Sequence, residues 1–116
     1  MRKPEFCRIS LKDLRRDAWD VEDAGDLDPA EYATRLNPII IERANGVVGI
    51  VDGFHRASGL LGWAEAAQQD PAVIMVEVVD TTGYDEDTIA EAGDGFGGER
   101  HEAAIRKILR AAKRGR

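Results

Sequence analysis

Asn45-Gly46 stands between two β-rich runs, Pro38-Ile39-Ile40-Ile41-Glu42-Arg43 and Val47-Val48-Gly49-Ile50-Val51. Both residue types tolerate the positive φ that a two-residue hairpin demands, so this is the strongest short-range hairpin signal a sequence carries. It commits the middle of the chain to two antiparallel strands. Asp52-Gly53 ends the second strand abruptly. Phe54 to about Gln69 then reads as helix, with Ala57, Leu60, Leu61, Ala64 and Ala67 at helical spacing and Trp63 among them. Gln68-Gln69-Asp70-Pro71 breaks it. Val73 to Val79 is nearly apolar throughout and predicts a strand covered on both faces.

The flanks are read in the same way. Phe6-Cys7-Arg8-Ile9-Ser10-Leu11 looks like a strand, although Phe6 and Ile9 do not share parity, and Lys12-Asp13-Leu14 reads as the turn that closes it. Asp17 to Asp28 is acidic and reads as a solvated loop, with Trp19 a core or shielding residue, as is Trp63. Asp28-Pro29 starts a helix with Asp as N-cap and Pro at its first position, ending at Asn37 because Pro38 follows. A short helix is expected from Asp85 to Ala92. A terminal helix is expected from about Glu99 to Lys113, with Ile105, Ile108, Leu109 and Ala112 on one stripe. The expected fold is α+β (or α/β): a small mixed sheet with a β-hairpin and packed helices.

At 116 residues, 43% hydrophobic and 33% charged, the chain suits one compact domain. Its single Cys7 excludes an internal disulfide framework and any all-cysteine metal site. No apolar run approaches the roughly 18 residues of a membrane span, and no signal-peptide core opens the sequence, so a cytoplasmic protein without a membrane partner is expected. The net charge of −6 hides an asymmetry: residues 1–16 carry +4, residues 17–98 carry −15 and residues 99–116 carry +5. An acidic body repels a long polyanion, which leaves DNA contact to the basic ends. Within that body only Arg35, Arg43 and Arg56 are basic, and each needs an explanation.

Arg56 has one. In strand, Asp52-Gly53-Phe54-His55-Arg56, helix, the N–H groups and the positive dipole end at a helix start favour an anion such as a phosphate. His55 and Arg56 add charge-assisted bonds, and Gly53 permits a sharp turn or a close approach. The alternative is structural: Asp52 caps the helix and Arg56 pairs with a nearby carboxylate.

Three stretches carry a resemblance: Asn37-Pro38-Ile39-Ile40, Val51-Asp52-Gly53-Phe54-His55-Arg56-Ala57, and Pro71 to Val79. Together with Arg8-Ile9-Ser10-Leu11-Lys12-Asp13-Leu14, they are similar to the ParB N-terminal and sulfiredoxin-like family over roughly the first 80 residues. That resemblance implies a nucleoside triphosphate, ATP or CTP, with magnesium as a companion. Gly53, Phe54, His55 and Arg56 would form its phosphate cradle, with Asn37 and Pro38 near the nucleotide. ParB-type CTP binders show Gly-Glu-Arg-Arg at this turn, where Phe54 and His55 stand here. Sulfiredoxins carry a catalytic Cys where Phe54 stands, so sulfiredoxin chemistry is excluded. Family members include nucleotide hydrolases, a free-serine kinase and nucleases, which leaves open whether this chain is an enzyme. Asp52 is the candidate catalytic carboxylate. No helix-turn-helix of a full partition protein is present in this sequence, so centromere-type recognition is not expected from it.

The expected domain layout is a nucleotide-binding unit over 1–92, a glycine-rich hinge over 93–98 and a basic amphipathic helix over 99–116. Gly93-Asp94-Gly95-Phe96-Gly97-Gly98 formally fits Gly-x-Gly-x-x-Gly but lacks the preceding strand of a dinucleotide site, so it reads as a hinge. The terminal helix suits docking on the acidic body. It also suits a partner through Ile105, Leu109, Arg106 and Arg110, contact with DNA, or exchange between the protomers of a homodimer. His101, beside Glu99 and Glu102, reads as a surface histidine, and no metal-ligand set is legible. The alternatives to nucleotide binding are therefore a non-enzymatic DNA-associated module and a protein-binding adaptor.

Overall fold

The computed structural model describes residues 1–18 and 25–116. In chain order it contains β1 (Glu5–Ser10), a 3-10 turn (Leu11–Leu14), α1 (Pro29–Arg35), β2 (Ile39–Ala44), β3 (Val47–Asp52), α2 (Phe54–Ala66), β4 (Met75–Asp80), α3 (Glu86–Ala92) and α4 (Gly98–Arg114). The strands form one mixed sheet in the order β1-β4-β2-β3. The β1–β4 and β2–β3 pairs are antiparallel, and β2–β4 is parallel. This is an α+β fold. The hairpin turns where its sequence demands, with Asn45 at φ 53° and Gly46 at φ 76°.

The sheet is packed on both sides at its centre, which explains the apolar run Ile39–Ile41 of β2, while Met75 and Glu77 of β4 stay exposed on the α3/α4 side. Ile39, Ile41, Val48, Ile50, Val76 and Val78 pack beneath α1 and α2, against Tyr32, Ala57, Leu60 and Ala64. Ile40 and Val79 face the other way, onto Ala92 of α3 and Ile105, Ile108, Leu109 and Ala112 of α4. The parity mismatch in β1 follows from this arrangement. Ile9 joins the α1/α2 layer and Phe6 the α3/α4 layer, so neither residue is out of place. Trp63 packs against the first layer.

Several boundaries differ from expectation for local reasons. Helix α1 begins on the Asp28 cap, whose Oδ1 accepts the Ala30 N–H at 2.7 Å, but it ends at Arg35. Leu36 is already extended (φ −116°, ψ 153°), so the chain leaves the helix two residues before Pro38. Strand β4 starts at Met75 rather than Val73. Asp70 accepts the Ala72 N–H at its side chain (2.9 Å) and the Val73 N–H at its carbonyl (3.1 Å), which holds that segment in a turn. Asp17, expected in a solvated loop, accepts the Ile50 N–H at 3.1 Å and so covers part of the exposed edge of β3. The expectation for Trp19 lies outside the described residues.

The terminal helix docks on the rest of the domain, the first of the arrangements its sequence suggested. Ile108 is fully buried and Ile105 and Leu109 nearly so, so α4 is built into the domain rather than hung from it. Each side chain of this size contributes roughly 1.5–3 kcal/mol when fully buried. Residues 93–97, the expected hinge, form a turn in which the Gly97 N–H donates to Asp94 O at 3.0 Å.

Candidate functional site

Asp52 is the last residue of β3, and its register partner on β2 is Ile40. Gly53 follows at φ 110°, a conformation that L side chains rarely adopt. A Cβ there would stand 2.9 Å from Ile39 Cγ1 and 3.1 Å from Arg56 Nη2, so the position is closed to larger residues on two counts. Gly53 offers no side-chain cap to α2. Asp52 does not cap it either. Its Oδ2 accepts from Arg56 Nη2 at 3.2 Å, one helical turn on, while its Oδ1 lies 3.7 Å from His101 Nε2 in the first turn of α4.

One carboxylate thus meets two cationic or ionisable groups from helices on opposite faces of the sheet. The Asp52–Arg56 pair is about one-quarter exposed on each side, and an ion pair so placed contributes only about 0.2–1 kcal/mol. The structural alternative is half realised: the arginine does pair locally, but the aspartate does not cap. Among the described residues, Arg56 Nε and His101 Nδ1 are buried nitrogens with no hydrogen-bond partner in the protein. A donor left so would cost about 1–3 kcal/mol unless something else satisfies it.

These groups border a cleft of about 680 Å³. One wall is the β3–α2 turn, from Val51 to Arg56, and the other is the α3–α4 turn, from Ala92 to Phe96, with His101 beneath it. The expected cradle of Gly53, Phe54, His55 and Arg56 is brought together, with His55 exposed and Arg56 half-buried. Asn37 and Pro38 do not line the cleft. Asn37 is exposed and Pro38 half-buried, just ahead of Ile39, the residue against which Gly53 packs. Tyr32 pins this approach. Its hydroxyl accepts the Ile39 N–H at 2.8 Å and donates to Glu77 O at 2.5 Å. Burial pushes the Tyr32 pKa above its ordinary value, against the smaller pull of the Ile39 N–H and the Arg56 charge.

Of the expected partner contacts, Ile105 and Leu109 are taken up by the protein's own α3/α4 layer, so they are not surface available to an adaptor function. Arg106 and Arg110 are exposed, and Arg106 Nη1 lies 3.9 Å from Glu102 Oε2. The other body arginines are also placed. Arg35 is exposed in the last turn of α1, and Arg43 Nε donates to Asp80 Oδ2 at 3.0 Å near the hairpin end of the sheet.

Sequence reasoning missed the second wall. Its signal was the Gly93–Gly98 pattern, read as a hinge, and nothing local joined His101 to Asp52. The two basic ends also meet. Met1, Arg2 and Lys3 share a hollow with Arg114, which also borders a second hollow lined by Lys107, Arg110 and Lys113. Among the described residues no group of three or more His, Cys, Asp or Glu is placed to hold a metal ion, and no helix is long and apolar enough to cross a membrane. Comparisons with protein-family models, with curated proteins and with solved structures give no match.

Proposed function

We propose that this domain binds a nucleoside triphosphate, ATP or CTP, with its phosphates at the start of α2. The observation that carries the reading is Arg56. It is an arginine half-buried beside a helix N-terminus that has no side-chain cap, and it borders a cleft with its Nε still unmatched. A phosphate oxygen is the acceptor such a donor takes, and the helix dipole adds to the attraction. The resemblance to the ParB N-terminal and sulfiredoxin-like family supports the same reading at the same residues. Gly53 would let the phosphate approach the backbone, and His55, exposed beside it, would add a second contact.

Asp52 positions Arg56 in this reading. A magnesium ion accompanying the phosphates uses one or two protein carboxylates, and Asp52 and Asp94 are those bordering the cleft. Hydrolysis or phosphoryl transfer would follow if Asp52 also oriented a nucleophile. Isothermal titration with ATP, ADP, CTP and GTP in magnesium tests the binding. Micromolar to low-millimolar affinity that Arg56→Ala reduces at least tenfold supports the reading. No binding by any of the four, or binding unchanged in that variant, defeats it.

A second reading, a DNA-associated module, is favoured by the meeting of the two basic ends. Arg2, Lys3, Arg110, Lys113 and Arg114 are all exposed there. Phosphate contacts of that kind release counterions, so binding should weaken steeply with salt. Deleting residues 99–116 would strip the core, so the fitting variant is the triple charge reversal Arg110→Glu, Lys113→Glu, Arg114→Glu. Retention on duplex DNA at low salt that this variant abolishes supports the second reading, and no retention at all removes it.

A further inference from the structure

Arg56 and its neighbours account for a phosphate and leave part of the cleft unexplained. Phe96 stands at the tip of the α3–α4 turn, 101% exposed, and it borders the same cleft. The other two phenylalanines, Phe6 and Phe54, are each packed against a core layer. A phenyl ring left wholly in water forgoes the burial that places nearly every other aromatic side chain.

The turn beneath the ring is specific. Asp94 Oδ1 accepts the Phe96 N–H at 3.0 Å, and Asp94 O accepts the Gly97 N–H at 3.0 Å. A Cβ on Gly97 would stand 3.0 Å from His101 Cβ, so the turn sits directly on the histidine that faces Asp52. The turn that carries Phe96 is therefore fixed at the edge of the cleft by the same contacts that close its second wall, while the ring itself stands in solvent. Val51 and Phe96 add apolar surface to a cleft that Asp52 and Arg56 line with charge and His55 with its ring nitrogens. At about 680 Å³ the volume is that of a small-molecule site, with room for more than a phosphate chain. An anionic group joined to a flat ring system matches both kinds of lining.

We propose that Phe96 stacks on the base of the nucleotide whose phosphates Arg56 holds. The inference rests on the nucleotide reading above and adds the residue that distinguishes a nucleoside phosphate from an inorganic one. Stacking of a base on an aromatic ring tolerates any base, so Phe96 strengthens binding of ATP and CTP alike and leaves base choice to other contacts.

The test uses the whole chain, its Phe96→Ala, Phe96→Trp and Arg56→Ala variants, and three ligands: ATP, CTP and inorganic tripolyphosphate, each with magnesium. Phe96 is fully exposed, so its substitutions spare the fold. Phe96→Ala should weaken ATP and CTP on the order of tenfold and leave tripolyphosphate unchanged. Phe96→Trp should restore the loss and show an ATP-dependent quench of its added fluorescence that tripolyphosphate does not produce. Unchanged ATP affinity in Phe96→Ala, with Arg56→Ala still defective, overturns the stacking role and leaves the nucleotide reading standing. Equal losses for ATP and tripolyphosphate in Phe96→Ala also overturn it, because Phe96 would then only shape the turn. Failure of the unmodified protein to bind any of the three overturns both.

Discussion

Asp52 Oδ1 lies 3.7 Å from His101 Nε2, and this contact joins the end of β3 to the first turn of α4. Through it the α3–α4 turn is held against the β3–α2 turn, and the cleft has two walls instead of one. His101→Ala should therefore loosen the second wall more than the whole domain. We expect faster amide hydrogen exchange across residues 93–102, with a loss of global stability of about 1 kcal/mol or less for a partly exposed pair. Exchange in that segment matching the unmodified protein would remove the link.

Gly53→Ala should be costly. The backbone at φ 110° is strained for any residue with a Cβ, and the new methyl would press on Ile39, which is fully buried. Strain alone is about 1–3 kcal/mol, so the urea midpoint should fall clearly. Asn45→Ala at the hairpin tip, with φ 53° but open surroundings, should cost less. A Gly53→Ala midpoint equal to that of the unmodified protein would mean that the turn can relax.

Tyr32→Phe removes one hydroxyl and leaves two backbone groups without their partner, the N–H of Ile39 and the carbonyl of Glu77. A buried polar group abandoned in this way costs about 1–3 kcal/mol, and thermal unfolding should show a loss of that size. The variant should also weaken any ligand held by Arg56, since Ile39 forms the floor under Gly53. A melting temperature unchanged within a degree counts against this account.

Asp80 supplies the pH dependence. Its partial burial raises its pKa, but the Thr82 hydroxyl and N–H and the Arg43 guanidinium outweigh that and hold the carboxyl below its ordinary value. A depressed carboxylate contributes stability above its unfolded pKa, near about pH 4, and loses it as pH falls through the folded value. Asp80→Asn should thus destabilise at pH 7 by about 1–2 kcal/mol. It should also flatten the acid limb of the stability curve, so that the two proteins converge once the pH has fallen below the folded value of Asp80. Parallel curves down to that pH would assign the acid limb to other carboxylates.

What could be read from the sequence was whatever is written over short distances. The Asn45-Gly46 turn, the Asp28-Pro29 helix start and the passage from Asp52-Gly53 into α2 depend on a few consecutive residues, and each stands where it was expected. The doubled core was half visible. The run from Val73 to Val79 signalled two covered faces, which holds at Val76, Val78 and Val79 but not at Met75 or Glu77, while Phe6 and Ile9 looked inconsistent until each was seen to join a different layer. The site was legible on one wall for the same reason. Its other wall depends on α4 folding back across the sheet, which places His101 beside a residue from the middle of the chain. A glycine run carries no mark of what it will come to face, and so 93–98 read as a hinge.

Among the described residues the two cores lie on opposite faces of the sheet, with α2 anchored in one layer and α4 in the other. The cleft lies where those helices both reach past the end of β3. Anything bound there touches both layers at once and acts as a rivet through the sheet from outside it. Occupancy would then make the two halves melt as one unit, and a ligand of modest affinity would be felt as far away as the buried face of α4.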